Sequence, residues 1–339
     1  MRQPTLQDLA DELGVARSTV SRALRDDPQI SQATRGRVQR RAHAIGYHPN
    51  AAARALNRRS SGVIGLLLPR TAPFVFANPY FAELFEGVAS AAERAGYPIL
   101  MSSSPTPDYP RWLREGRVDA LLALGGALRP EQLSELETLR GAGANVVLIG
   151  VTRTATALPV VTCDEQPGLE AMARAAAALG HRRAAVIAGP HAADYATTRA
   201  EAWAGALERH AIDAVATVHG DDTLDGGAAA AAALVQGAAT VWCCGNDQMA
   251  FGALATLRSQ GVDTPGRVSV VGFDDVRAAS LVGLASVRQP TRALGEHAVE
   301  TVVAGLERRE APARRFTTSF VARPSFGPAP TDDHVGVTR

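Results

Sequence analysis

Thr5-Leu6-Gln7-Asp8-Leu9-Ala10-Asp11-Glu12-Leu13-Gly14-Val15-Ala16-Arg17-Ser18-Thr19-Val20-Ser21-Arg22-Ala23-Leu24 is the stretch that decides how the chain begins to fold. Leu6, Leu9, Ala10 and Leu13 recur at i, i+3, i+4 and i+7, one apolar face of a helix. Gly14 stops that helix. Val20, Ala23 and Leu24 restart the stripe after a short turn, and Val38, Ala42 and Ile45 repeat it. A small Ala10 opposite Val20, with Gly14 free to take positive φ, suits two helices crossing steeply through a tight turn. That is helix-turn-helix geometry, whose second helix enters the major groove of DNA. The plain alternative is a small helical bundle with a solvated basic face.

Charge separates the two. Residues 1–60 hold 11 Arg against five acids, a balance of +6, while the rest of the chain holds 24 Arg against 29 acids. The near-neutral total of +1 therefore hides a basic head on an acidic body, the asymmetry of a nucleic-acid-binding module. At 339 residues and 46% hydrophobic content the chain has material for about two or three domains. Residues 1–11 do not resemble a signal peptide, and no apolar run is long enough to span a membrane, so the expectation is a cytoplasmic protein working at the nucleoid. Cys163, Cys243 and Cys244 read as free thiols in a reducing compartment, filling core. Adjacent Cys243 and Cys244 would face opposite sides of a strand, a poor joint metal site. All 35 basic residues are Arg, which with the heavy use of Ala reads as genome composition rather than mechanism.

After Arg59-Ser60-Ser61-Gly62 the texture changes. Val63–Pro69 is a short continuous apolar run, the mark of a strand buried on both faces. A helical pattern follows (Phe81, Leu84, Phe85, Val88, Ala92), with Gly96 as its cap. Strand-like runs recur at Pro98–Met101, Ala120–Leu124, Val146–Gly150, Ala184–Ala188, Thr240–Cys244 and Val268–Gly272, with helices between them. Repeated βα units imply parallel sheets, too many strands for one, hence two similar lobes. A ligand would then bind between the lobes at the carboxyl ends of strands.

The ordered set of motifs resembles the LacI/GalR bacterial repressors over roughly residues 3–325. Beyond the opening stretch it includes Ile30-Ser31, Thr34-Arg35, Ile45-Gly46-Tyr47, Pro49-Asn50, Ala53-Arg54 and Leu56. In the body come Asn78-Pro79-Tyr80-Phe81, Leu179-Gly180-His181-Arg182, Asn246-Asp247-Gln248-Met249, Val268–Asp275 and Gln289-Pro290. The resemblance implies an α/β protein: a helix-turn-helix headpiece at 1–49, a hinge helix and linker at 50–61, and a two-lobed core like the periplasmic binding proteins at 62–325, with two parallel sheets. Lobe 1 would take about 62–161 and 291–320, lobe 2 about 162–290 and 321–325. The tail, 326–339, is expected to be disordered.

Arg17 and Ser18 would sit at the start of the second helix, where side chains meet base edges, with Arg22 one turn on. A major-groove Arg most often grips guanine O6 and N7 together, worth ~1–3 kcal/mol of discrimination. The resemblance gives Arg17 and Ser18 the specificity positions and Arg22 a base contact. Thr19, Ser21, Thr34 and Tyr47 read as phosphate clamps, which fix register only. Ala16 departs from the family, which often caps this helix with a serine; the loss is worth ~1 kcal/mol unless another group substitutes. Asn50, Ala53 and Leu56 belong to the hinge segment, too short to hold as an isolated helix. By resemblance it forms only when paired on DNA, Leu56 wedging into the central minor-groove step. A passive linker is the alternative.

For the effector, the resemblance points to Tyr80, Phe81, Arg199, Asn246 and Asp274, with Tyr195, Trp242 and Asp164 as weaker members. Asp274 has a second reading as a helix cap and Phe81 as core. Strand alternation argues against Trp242, and Glu165, where the family has Asn, puts Asp164 in question. Arg70-Thr71-Ala72-Pro73-Phe74-Val75-Phe76-Ala77 is either a pocket extension for a larger ligand such as a disaccharide or a surface loop with anchored phenylalanines. No phosphate loop, nucleophile elbow, zinc helix or dinucleotide turn is present, so no enzyme, cofactor or metal is expected. The expected partners are a near-palindromic double-stranded operator, a small molecule, most simply a sugar, and a second copy in a homodimer without leucine heptads for a tetramer. A corepressor such as a nucleobase, or a solute-binding protein without DNA function, are the competing readings.

Overall fold

The computed structural model describes residues 4–47, 60–151, 155–191, 193–311 and 314–331. The chain divides into two compact units, Met1–Ser61 and Gly62–Arg339.

In the first unit, α1 (Leu6–Leu13), α2 (Arg17–Ala23) and α3 (Gln32–Ala44) follow the apolar stripes. Thr5 and Asp8 close a reciprocal capping box at the start of α1, and Gly14 ends it at φ 63°. Ser31 caps α3 by accepting from the Thr34 N–H at 3.2 Å. Ala16 begins α2 without any side-chain cap. Leu9, Ala10, Val20, Ala23, Val38 and Ala42 form the core, ringed by Leu6, Leu13, Val15, Leu24, Ile30, Ile45 and Tyr47.

The second unit runs β1 (Ile64–Leu68), α4 (Ala72–Ala77), α5 (Pro79–Ala95), β2 (Ile99–Ser103), α6 (Tyr109–Arg114), β3 (Ala120–Leu124), α7 (Pro130–Gly141), β4 (Asn145–Ile149) and β5 (Val160–Val161). It continues through β6 (Cys163–Asp164), α8 (Gln166–Ala178), β7 (Arg183–Ala188), α9 (Asp194–Arg209), β8 (Asp213–His219), α10 (Leu224–Leu234) and β9 (Val241–Cys244). Last come α11 (Asp247–Ser259), β10 (Ser269–Asp274), α12 (Arg277–Leu281), β11 (Ala285–Arg288), α13 (Thr291–Leu306), β12 (Phe316–Thr317) and β13 (Ser319–Val321).

Lobe 1 is the five-stranded sheet β2-β1-β3-β4-β5, parallel throughout. Lobe 2 is the six-stranded sheet β13-β11-β10-β9-β7-β8, in which only β13 runs antiparallel to its neighbour. Read from β8, lobe 2 repeats the order of lobe 1. Each sheet therefore reverses its winding direction beside its first strand, and the crevice at that reversal opens at the carboxyl ends. Each sheet is buried on both faces: Leu66, Leu68 and Leu122 face one layer of lobe 1, Leu67, Leu121 and Leu148 the other. In lobe 2 Cys243 and Cys244 do the same, one in each layer. Helix α13 returns to lobe 1 and packs on α5 through glycine: a Cβ on Gly87 would lie 2.0 Å from the Arg292 carbonyl oxygen.

Three differences from the sequence reading stand out. Strands β8 and β11 were not in the apolar-run pattern; β8 is an edge strand with mostly exposed residues, and β11 carries Ser286 and Arg288. β13 belongs to the lobe 2 sheet, so the last crossing between lobes falls at Thr318 rather than after residue 320. The tail expected to be disordered from residue 326 is packed through Ala329. Phe326 joins the lobe 2 core against Phe320, the Gly327 carbonyl lies 3.0 Å from His181 Nε2, and the Ala329 N–H donates to the Leu179 carbonyl. An aromatic and two backbone anchors override the Pro and Gly content that suggested disorder. Residues 332–339 lie outside the described residues.

Candidate effector cleft and DNA-reading helix

Within the first unit, α2 turns Val20 and Ala23 into the core and leaves Arg17 and Ser18 exposed at its start. Ser21 and Arg22 follow one turn on, half-buried, as does Thr19. Arg22 is held by Asp27, Nε to Oδ2 at 2.8 Å, and by the Gln29 side chain; that bond holds the Asp27 carboxyl below its ordinary pKa. Thr34 accepts from the Ser31 hydroxyl at 2.9 Å, and Tyr47 packs against the core edge. Asn50, Ala53 and Leu56 lie outside the described residues.

In the second unit, a cavity lies between the lobes. Lobe 1 supplies Arg70 just past β1, Phe74 on α4, Tyr80 and Phe81 from the first turn of α5, and Gly126 past β3. Lobe 2 supplies Tyr195 and Arg199 from the first turns of α9, Asp222 past β8, Asn246 past β9 and Asp274 ending β10. Cys163, Glu165 and Gln289 come from the crossings. One side is thus aromatic and apolar, the other a set of convergent polar groups, the composition of a small-molecule site.

Arg199 is the centre of the polar side. Its Nε and Nη2 meet the two Glu165 oxygens at 3.1 and 2.6 Å, its Nη1 donates to the Gly245 carbonyl at 2.8 Å, and its carbon lies 3.6 Å from the Phe273 ring centroid. Burial works against the charge, but Glu165 outweighs it and the guanidinium stays protonated. Asp274 sits at φ 106°, a strained backbone for a residue with a side chain, and accepts from Gln289 Nε2 at 2.5 Å. Burial pushes its pKa up to about 7 despite Arg199 and Gln289. Asp222 is also raised by burial; it accepts from the Tyr195 hydroxyl and is reached by Asn246 Nδ2. Arg70 crosses the mouth to donate to the Tyr195 oxygen at 3.0 Å. Burial pushes the Cys163 thiol up to about 12, which disfavours its thiolate.

Known proteins share both units. Residues 5–50 match the model of the bacterial regulatory proteins of the lacI family, and residues 173–326 match a periplasmic binding protein-like domain. The HTH-type transcriptional regulator reg1 of Streptomyces lividans is 30% identical over 96% of this chain and 97% of its own length. This chain belongs to the LacI family. A solved complex of the transcriptional regulator CelR with cellobiose aligns over 95% of this chain and 100% of that one, at 28% identity and a TM-score of 0.70. The fold also matches a lac repressor dimer bound to operator and the anti-inducer ONPF, at 24% identity, a TM-score of 0.84, and 96% and 99% coverage.

Of the positions that family resemblance named, the cleft gathers Tyr80, Phe81, Tyr195, Arg199, Asn246 and Asp274. Phe81 also fills the lobe 1 core, so both readings of that residue hold together. Asp274, by contrast, caps no helix: α12 follows Val276 without a side-chain cap, and the capping residue of the cleft is Asn246, which accepts from the Met249 N–H at the start of α11. Trp242 does not belong: it is buried in the lobe 2 layer away from the cleft, as alternation along β9 requires. Asp164 does not either; it turns to Arg315 at 3.1 Å and the residue after it, Glu165, faces the cavity. Phe74 lines the cavity while Phe76 is 68% exposed, so the aromatic segment splits between the two readings. Arg70, Asp222 and Gln289 were missed as cavity residues. Each lies just past a strand end, the one signal available, but β8 and β11 had to be recognised first.

Proposed function

We propose that this LacI-family chain is a sequence-specific transcriptional regulator, a repressor, whose hold on a near-palindromic operator is set by a sugar or glycoside bound between the lobes. The observation that carries the reading is the cavity itself: an aromatic wall facing buried hydroxyl-binding groups, at the carboxyl ends of both sheets, in a chain whose headpiece has an exposed Arg17 and Ser18 opening its second helix. Sugars present apolar ring faces and rings of hydroxyls, which this division matches. The polar groups are suited to binding hydroxyls, which supports regulation by a ligand.

The chain works as a homodimer in this reading. Leu281 and Val282 are 86% and 58% exposed, beside a groove formed by Phe251, Leu254, Val262 and Pro324. Exposed apolar side chains beside a groove that also carries Arg258 and Asp263 support a partner surface, and a second copy gives the two-fold symmetry a palindrome requires. Ligand changes the angle between the lobes, and in this reading that change alters how the dimer holds its operator. Coupling of this type is typically ~1–3 kcal/mol.

Operator selection at fixed salt, repeated with sugars, glycosides and nucleobases, tests the proposal. A palindromic site released by one sugar supports it. A site bound only in the presence of a metabolite would make the protein corepressor-dependent, and failure to select any site would defeat DNA regulation altogether.

A further inference from the structure

Arg199 is the group in the cleft best suited to seize a ligand, and its fork is already taken. A guanidinium carries five N–H donors in a rigid plane that grips a carboxylate or phosphate by two parallel bonds. Here two of those donors go to the two oxygens of Glu165 and a third to the Gly245 carbonyl. The Arg199 and Glu165 side chains are each 9% exposed, and Phe273 backs the guanidinium face. One N–H on each terminal nitrogen remains for a hydroxyl, but the side-on fork is filled and the charge of Arg199 is already matched by Glu165, so an incoming acid finds no unpaired cation there. Glu165 is itself fixed: it immediately precedes α8, and its carbonyl accepts from the Thr318 hydroxyl at 2.8 Å.

Resting on the reading of the cleft as a glycoside site, we propose that Glu165 is its specificity determinant, a built-in carboxylate that fills the anion seat of Arg199 and restricts the cleft to uncharged glycosides, excluding sugar acids and sugar phosphates.

The surrounding charge supports this. Asp222 and Asp274 line the same cavity, and its other cation, Arg70, gives a donor to Tyr195. Both guanidiniums are thus engaged already, Arg199 by the Glu165 carboxylate and Arg70 by the Tyr195 oxygen. An incoming acid would meet like charge in a medium of lower dielectric than water, where the mismatch is magnified. A neutral hydroxyl meets no such opposition and finds acceptors in these carboxylates.

The test uses the full-length protein and matched probes: glucose with glucuronate, galactose with galacturonate, cellobiose with cellobionate, titrated by calorimetry. Wild type is expected to bind the neutral member of a pair at least about tenfold more tightly. Glu165→Gln keeps a hydrogen-bonding group beside Arg199 but removes the counter-charge, and erases or reverses that preference. Acetate provides an arm that needs no sugar. Glu165→Ala empties the seat, so acetate in the millimolar range raises its thermal midpoint and leaves wild type unmoved, as binding to the folded state alone dictates. Should Glu165→Ala fail to fold, the acetate response of Glu165→Gln is read instead. Wild type binding acids as well as neutral sugars, or variants that gain no anion, would overturn the proposal. Acetate rescue without any sugar binding would defeat the glycoside reading and leave the anion seat standing.

Discussion

The start of α2 offers a sharp test of how the DNA-reading surface is held. Ala16 adopts φ −62° and ψ 145°, the extended backbone an N-cap residue needs, but it has no oxygen to offer. The other helices of the same unit show what is missing: the hydroxyls of Thr5 and Ser31 accept from N–H groups three residues on, at 3.2 Å each. In α2 the corresponding donors, the N–H groups of Ser18 and Thr19, lack that side-chain acceptor and turn to solvent or, on DNA, to phosphate. Ala16→Ser supplies the acceptor without changing the backbone, so the full value of a cap, ~1 kcal/mol, is expected. That is about a fivefold shift in the opening equilibrium of a helix. The helix is only seven residues long and cannot persist by itself, so the gain is shared with the packing of Val20 and Ala23. Amide hydrogen exchange over Val20–Leu24 reads the shift directly, and operator selection should show the same preferred bases because Arg17 and Ser18 are untouched. Unchanged protection would mean that another group already caps α2. An altered base preference would mean that residue 16 itself faces the bases, and would refute the placement of the helix start.

Arg17→Ala should relax preference at one symmetric pair of operator positions by ~1–3 kcal/mol, and an unchanged selection profile would remove Arg17 from the base-reading set. Leu56→Ala should weaken specific operator binding far more than nonspecific binding in a filter or anisotropy assay; equal losses would dismiss the wedge. Asp274 has its pKa raised from 3.8 to about 7, so the folded state binds more protons between those values and its contribution to stability declines as pH rises through them. Asp274→Asn should flatten that decline in thermal midpoints measured across the same window, and parallel profiles would show that the group titrates normally. Leu281→Glu places a charge on the exposed apolar face and should shift sedimentation velocity toward monomer, whereas an unaltered dimer would locate the interface elsewhere.

What the sequence disclosed and what it withheld follow one rule. Elements whose side chains are sorted by burial announce themselves: the helical stripes of the first unit, the doubly buried strands β1, β3, β4, β7, β9 and β10, and the Gly14 and Gly96 stops all lie where apolar spacing puts them. β8 and β11 do not announce themselves, since one is an edge strand and the other carries Ser286 beneath Asp247, a polar contact that no hydropathy pattern contains. The site inherits the same division. Tyr80, Arg199, Asn246 and Asp274 were reachable through motifs, while Arg70, Asp222 and Gln289 depend on which strand ends the topology brings together. Glu165 was visible only as an irregularity, and its meaning required the partner that folding places across from it.

The way the lobes meet explains why so modest a ligand can act on them. Across the mouth the described residues make polar bonds: Arg70 to Tyr195, Gln248 Nε2 to the Ala77 carbonyl at 2.8 Å, and the Arg277 N–H to Glu83 at 3.0 Å, with Glu86 taking the Arg277 guanidinium. Net of water such bonds contribute about 1 kcal/mol each, and exposed ion pairs less. The apolar cores, by contrast, close separately within each lobe. Changing the angle between lobes therefore exchanges protein–protein for protein–water hydrogen bonds and leaves the cores intact. A ligand that satisfies Arg199, Asp222 and Asp274 in one arrangement only has to supply a few kcal/mol of difference to redistribute the population.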